Sequence, residues 1–494
     1  MSFSSRRRNY MLTPHRRDGL IEWMKHMLQH SFVLDCLAQT APTTFSHFED
    51  LIEEHRSLSG DDTNISKLQR LVPTIGTFHT SLPLTIAFLL YDEKYSVTSR
   101  RHVTLSFNEI RQILNLSQVM ALCGCDLSTS SLVGPHLTSP KIKPPISSFT
   151  GPKIITFDGD QTLYSDGANF TSNPKLAHSI YLLLKNRTTV AVVTAAGYEY
   201  AVEKYSFRLT GLIDYFREKG LNKEECGRFY MFGGECNYLM RLSEGYELEP
   251  VAEEGPGGWI TSTKHIPSSP GNWSQASISS LLDVAYESFT ESLSDMKITG
   301  RVIRKKRAVG LIPQSGKTIP REVLDECVLR VQSALYEKSV SYNSLPYCAF
   351  NGGTDAWVDC GNKRVGVSIL QSYLGFSAEE CLHVGDQFLN TGNDYAARGC
   401  SPCAWITGPD ETGYILKKVL EFGGATGVVG GGGISPKTPS GGMGKKTLSL
   451  GDMTRRASVD NSDPIITSDR SKTEAVMDVY TGEIIQPPAK KSKI

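Results

Sequence analysis

Apolar positions along the chain fall into three textures. From Asp18 to about residue 135 they recur at helical spacing. Leu20, Ile21, Trp23, Met24, Met27 and Leu28 lie on one face of a helix over 18–34. "DTNISKLQRLVP" and "SFNEIRQILNLSQVMAL" have polar starts and i, i+3, i+4 apolar positions, the pattern of two more. The Pro/Ser-rich "TSPKIKPPISS" then reads as a linker. Beyond it, short apolar runs end at polar or Gly residues: "KIITF" (153–157), "TVAVVT" (189–194), "CLHVG" (381–385) and "CAWIT" (403–407). Helical patterns separate or follow them in "PKLAHSIYLLLKN", "KRVGVSILQSYLG" and "TGYILKKVLEF". Strands alternating with helices predict βαβ units and a parallel sheet, with ligands at the carboxyl ends of the strands.

About 165 residues separate Thr194 from Asn362, too many for a crossover, and they carry strand and helix signals of their own, such as "GRFYMFGG" and "REVLDECVLRVQSALYEK". An inserted domain is expected there. From Gly423 to Gly444, Gly fills 10 of 22 positions, and Ser/Thr/Lys-rich sequence follows, so the tail is expected to be disordered. "RRAS" around Ser458 and the terminal "KKSKI" are short patterns that a solvated tail also produces.

Composition narrows the classes. A length of 494 residues suits two to four domains at roughly 150 residues each. A formal net charge of zero argues against a general nucleic-acid binder. Eleven Cys without a CxxC pair point to reduced thiols in a cytoplasmic protein rather than a zinc site. No apolar run approaches a membrane span, and the Arg/Ser-rich start has no apolar core of a secretion signal.

The chemistry begins at "FDGDQT". Asp158 and Asp160 leave the first strand one residue apart, where their charges repel unless a cation or a chemical task intervenes. Mg²⁺, a hard cation that takes oxygen ligands, would relieve them. Thr194 ends the second apolar run, and a hydroxyl followed by backbone N–H groups can hold phosphate oxygens. Lys363 opens a helical pattern, where its ammonium gains nothing from the helix dipole unless an anion sits between the two. Asp386 leaves the "CLHVG" strand, and Asp394 can return to the same loop as a support. Acidic turns, strand-end Thr and surface Lys are each common by themselves; their order along one chain is not.

That order, DxDxT, Thr, Lys before a helix, then GDx7D, resembles the haloacid dehalogenase superfamily. The resemblance implies a Rossmannoid parallel sheet with a C2-type α+β cap insertion, plus a helical N-terminal region. It makes Asp158 the nucleophile and Asp160 the general acid/base. It has Mg²⁺ held by Asp158, Asp386 and the backbone carbonyl of Asp160, with Thr194 and Lys363 on the phosphoryl oxygens. "RRDGLIEWMKHMLQHSFVL", "ITFDGDQTLYSDG", "VTAAGYEYA", "RAVGLIP" and "GNKRVGV" look more closely like the fungal and apicomplexan IMP-specific 5′-nucleotidases. The implied activity is hydrolysis of IMP to inosine and phosphate, in purine salvage, by a cytoplasmic homotetramer stimulated by ATP bound away from the active site. The expected boundaries are 1–137 for the helical region, 138–149 for the linker, 150–200 and 350–421 for the core, 201–349 for the cap and 422–494 for the tail.

Asp166 lies close enough behind the catalytic loop to reach the ribose or the cap, and Asp359 sits four residues before Lys363. Each is either a pocket contact or a loop former. "GLIPQSGKT" imitates a phosphate-binding loop, but five residues rather than four separate Gly310 from Gly316. "RVIRKKR" reads as a solvated strand face. Two other readings stay open: a sugar-phosphate phosphatase or phosphomutase of the same superfamily, and a nucleotide-binding scaffold without turnover.

Overall fold

The computed structural model of the chain describes residues 18–29, 37–58, 64–100, 102–125, 148–171, 173–425, 476–477 and 484–485. Its strands up to residue 425 are, in chain order, β1 (Ile154–Phe157), β2 (Thr189–Val193), β3 (Phe229–Gly233), β4 (Tyr238–Leu242), β5 (Leu248–Pro250), β6 (Gly300–Arg304), β7 (Ala308–Pro313), β8 (Tyr347–Asn351), β9 (Ala356–Cys360), β10 (Cys381–Gly385) and β11 (Cys403–Trp405). The main sheet has the order β11-β10-β1-β2-β3-β4-β5. Its pairings are parallel from β11 to β3, and β4 and β5 extend it antiparallel. Every residue of β1, β2, β3 and β10 is buried, which is why these strands read as unbroken apolar runs rather than alternating ones.

Both faces of the sheet are covered. Ile154, Ala191, Val193 and Phe232 pack with Val365, Ile369 and Leu370 of the helix Lys363–Leu374. The helices Pro174–Lys185 and Pro409–Phe422 lie on the other side and pack on each other. In the register, Phe157 stands opposite Val384 and Val192. The next residues of three strands, Asp158, Thr194 and Asp386, therefore emerge along one edge.

The insertion forms a second sheet, antiparallel, in the order β6-β7-β9-β8. The helices Gln275–Asp295 and Arg321–Glu337 cover one face, and Val309, Leu311, Ala356, Val358 and Cys360 join the core between them. Side chains alternate along a strand, so Trp357 and Asp359 of β9 lie on the open face. Gly310 stands opposite Trp357 in the register, and a Cβ there would sit 2.7 Å from the indole, so the bare glycine lets the ring lie across β7.

The expected boundaries need correction. Residues 229–250, assigned to the cap, supply three strands of the main sheet, because β3 pairs in parallel with β2. At the other end, β8 and β9 carry the cap sheet to Cys360, beyond the expected limit of 349. In the basic run of β6 and the turn after it, Arg301, Arg304 and Lys306 are exposed and the other four residues are half-buried, with Arg304 paired to Asp283.

Among the described residues, the N-terminal region consists of helices Gly19–Gln29, Leu37–Leu58, Lys67–Leu71, Leu84–Tyr95 and Phe107–Leu122 with connecting turns. The last of these starts at a reciprocal cap: Ser106 Oγ accepts from the Glu109 N–H, and Glu109 accepts from the Ser106 N–H. This helix packs on β11 and on Pro409–Phe422. Arg111, almost fully buried, donates to both carboxylate oxygens of Glu411 at 2.9 and 2.8 Å. The linker and the tail fall mainly outside the described residues. Beyond residue 425 the described residues form an antiparallel pairing of Val476–Met477 with Ile484–Ile485. No helix among the described residues is long and apolar enough to cross a membrane.

Phe289 is fully buried in the cap core. Phe289→Ala is expected to lower the free energy of unfolding by roughly 3–5 kcal/mol through lost burial and a residual cavity, which urea titration measures.

Candidate active site

Asp158 follows β1, and its own N–H donates to Val384 O of β10 at 3.0 Å, so the sheet ladder continues to the residue that carries the carboxylate. The side chain is 6 % exposed. Lys363, wholly buried at the start of its helix, reaches Asp158 Oδ1 at 2.7 Å and Asp394 Oδ1 at 2.6 Å with one ammonium. Asn362 caps that helix by accepting from the Val365 N–H, which leaves the Lys363 side chain for the pocket.

Asp394 is tied down on both oxygens. Oδ1 also contacts His383 Nε2 at 3.0 Å, and Oδ2 accepts from the Gln387 N–H at 2.8 Å. His383, buried within β10, contacts Thr156 Oγ1 through its other ring nitrogen. Gly385 permits this packing, since a Cβ there would lie 2.3 Å from the Asp394 carboxylate. Burial pushes the Asp394 carboxyl up, but Lys363 and His383 outweigh it and hold the group well below the usual carboxylate range. Burial lowers the Lys363 ammonium, and Asp158 and Asp394 more than reverse this.

Asp158 differs. Burial pushes it up to about 7 against the pull of Lys363, and Asp394 and Asp160 add to the rise. Asp386 is also raised well above its ordinary value, by burial and then by Asp158 and Asp394. Its Oδ1 is buried with no hydrogen-bond partner. Carboxylate oxygens of Asp158, Asp386 and Asp394 come within 4.8 Å of one another. Three carboxylates crowd one ammonium that contacts two of them, and a buried oxygen of the third has no hydrogen-bond partner. That donor set fits a hard divalent cation.

Thr194 is buried behind β2, where its Oγ accepts from the Ala196 N–H at 3.2 Å. It adjoins the Asp158–Asp160 turn: a Cβ on Gly159 would sit 3.3 Å from its hydroxyl. The Asp160 carboxylate lies outside the acidic cluster. Arg208 donates to both of its oxygens, at 2.6 and 2.7 Å, and the Gly167 N–H donates to Oδ1 at 3.0 Å. Asp166 meets the cap, where its Oδ2 would lie 3.0 Å from a Cβ on Gly353. Burial and the neighbouring Asp160 raise its carboxyl.

Asp359 is a correction to the loop alternative: it lies in β9, buried, with Oδ2 unpartnered. Burial pushes it up to about 7, with Asp355 adding to the rise.

Besides His383, two site residues were missed in the sequence. Arg208 ends the helix Val202–Arg208, almost fully buried, with its guanidinium 4.9 Å from the Tyr164 ring centroid. Nothing in the sequence distinguishes it from a surface arginine. Glu235 follows β3, wholly buried at φ +64°, with Oε1 accepting from Asn393 and Oε2 unpartnered. Burial raises it well above its ordinary value, against Lys363, with Asp359 and Asp158 adding to the rise. Its signal was "GGE" at the end of an apolar run, the same strand-end position that identifies Asp158 and Asp386.

A sequence model of the family described as IMP-specific 5′-nucleotidase matches residues 3–416. The IMP-specific 5′-nucleotidase 1 of Yarrowia lipolytica is 37 % identical over 435 residues, 84 % of this chain and 96 % of the relative. This chain belongs to the IMP-specific 5′-nucleotidase family. It is thus a phosphoric monoester hydrolase. The Plasmodium falciparum member is 32 % identical over 417 residues, 82 % of this chain and 84 % of the relative. The solved structure of an IMP-bound mutant of the Plasmodium falciparum IMP-nucleotidase superposes with a TM-score of 0.70 at 32 % identity, covering 82 % of this chain and 94 % of that one. An ATP-bound structure of that nucleotidase superposes with a TM-score of 0.66 at 32 % identity, covering 82 % and 85 %. The fold is haloacid dehalogenase-like, with the antiparallel cap inserted between the Thr194 and Lys363 segments.

The raised Asp158 carboxyl makes a signed prediction. Folded Asp158 binds its proton more tightly than the unfolded chain does. The group therefore favours folding below the ordinary carboxylate range and loses that contribution as pH rises through about 7. In metal-free protein, Asp158→Asn is expected to melt above the unsubstituted chain at pH 8, and the difference is expected to narrow toward pH 4. Differential scanning fluorimetry across that range measures it.

Proposed function

We propose that the protein hydrolyses IMP to inosine and phosphate through an aspartyl-phosphate on Asp158. The observation that carries this reading is the single Lys363 ammonium bridging Asp158 and Asp394 at 2.7 and 2.6 Å, beside the unpartnered Asp386 oxygen. Asp158 attacks phosphorus and the P–O5′ bond breaks. Asp160 supplies a proton to the leaving alkoxide, and in the second step takes one from the water that releases phosphate. Arg208 holds the Asp160 carboxylate in a fixed plane for both transfers.

Lys363 and Thr194 balance the equatorial oxygens, where phosphoryl-transfer charge develops. Asp158, Asp386 and the Asp160 carbonyl would hold Mg²⁺, and Asp394 supports them by holding Lys363 and the Gln387 backbone. When bound, the cation offsets negative charge on the transferring group.

A nucleotide is favoured over a sugar phosphate by the open face of the cap sheet. There the Trp357 indole carries the Lys305 ammonium 4.6 Å from its centroid, and displacement of that ammonium would leave the ring free to stack on a purine. Asp166 and Asp359 are the acidic groups available to ribose hydroxyls. The same reading extends to Mg²⁺ dependence and a cytoplasmic homotetramer in purine salvage. It also includes ATP stimulation, which is supported by a cavity of about 340 Å³ between the N-terminal helices and the core, lined by His79, Arg111, Phe388, Tyr395, Arg398 and Trp405.

Phosphate release across a panel of nucleoside and hexose monophosphates tests the substrate. IMP is expected to exceed the other compounds in kcat/KM, and preferential turnover of a hexose phosphate would refute the nucleotide reading. Asp158→Asn is expected to lower kcat at least 10³-fold, since an amide does not attack phosphorus. EDTA is expected to stop turnover and Mg²⁺ to restore it; full activity in chelator rules out the metal.

A further inference from the structure

We infer that Trp405 is a positioning residue for Asp386, and that through it the N-terminal helix Phe107–Leu122 sets the geometry of the catalytic loop. The inference rests on the reading of Asp386 as a cation ligand. The Asp386 carboxylate has an oxygen without a hydrogen bond, so its own bonding leaves its aim only partly fixed. Its backbone is held instead: the Trp405 indole N–H donates to Asp386 O at 2.8 Å. A shift of that peptide would move the carboxylate by a comparable distance.

Trp405 is itself clamped from the N-terminal region. Asn115, buried on the helix, accepts from the Trp405 N–H at 2.9 Å and donates to its carbonyl at 2.6 Å, acting as a strand would beside β11. Arg111 donates to the same carbonyl and is anchored by Glu411. Phe107 of the helix meets the indole edge-on at 5.6 Å between centroids, and Phe388, two residues beyond Asp386, lies 6.2 Å away on a tilted plane. Helix, indole and loop backbone thus form one continuous set of contacts. Partners of this kind, beyond the ligands themselves, commonly contribute tenfold or more to metal affinity.

The test uses the full chain and Mn²⁺ as probe. Trp405→Phe keeps an aromatic ring and removes the donor. Mn²⁺ affinity is read without substrate by electron paramagnetic resonance, and the Mg²⁺ dependence of phosphate release from IMP is read separately. Trp405→Phe is expected to weaken Mn²⁺ binding about tenfold or more and to raise the half-saturating Mg²⁺ by a similar factor. The KM for IMP at saturating Mg²⁺ is expected to stay within twofold. Should that variant fail to fold, Asn115→Ala is expected to shift both readouts in the same direction. A folded Trp405→Phe with unchanged Mn²⁺ affinity overturns the inference. Asp386→Asn separates the two levels. If it loses Mn²⁺ while Trp405→Phe does not, only the role of Trp405 fails. If it retains Mn²⁺, the reading of the metal site itself has failed.

Discussion

One buried ammonium shared by two carboxylates governs this site. Lys363 has no solvent around it, so its charge is tolerable only with partners in contact, and Asp158 and Asp394 provide them. The two are not equivalent. Asp394 has further donors from His383 and a backbone amide, and keeps its negative charge firmly. Asp158 has Lys363 and little else, so burial raises its carboxyl. Asp386 adds a third carboxylate with no cation of its own. The pocket is short of positive charge, an imbalance that the proposed divalent cation would offset.

The fold supplies this imbalance by geometry. Three strands in register release Asp158, Thr194 and Asp386 at one edge, and Lys363 enters from the first turn of a helix packed on the same sheet. Gly366 brings that helix close: a Cβ there would lie 2.3 Å from Glu235 O. The cap returns along β8 and β9 to place Asp359 within electrostatic reach of Glu235. The N-terminal region reaches the loop after β10 through Asn115, Arg111 and Trp405. The loop after β10 is therefore flanked by two parts of the chain that contribute none of Asp158, Asp386 and Asp394.

Much of this was legible along the chain. The apolar runs at 153–157, 189–194, 381–385 and 403–407 contain β1, β2, β10 and β11, because strands buried on both faces need no alternation. Each leaves a polar residue or a glycine at its end, so the order DxDxT, Thr, Lys, GDx7D pointed to one edge of one sheet. The run at Phe229–Gly233 was equally visible as a strand but was given to the wrong sheet. Its partner, β2, lies far back in the sequence, and a parallel pairing leaves no local turn to reveal it.

Arg208, His383 and Glu235 escaped notice for a related reason. A buried arginine and an exposed one are spelled alike, and only contact with Asp160 gives Arg208 its role. A histidine inside an apolar strand becomes a support only when Asp394 folds back onto it. By itself the sequence determined which short segments are buried, which residues end them, and hence which groups could do chemistry. The tertiary structure decided which of those groups share a charge, which oxygen is left without a partner, and which neighbours hold the loop. Charge balance and desolvation depend on distances of a few ångströms between residues up to hundreds of positions apart, and no local pattern records them.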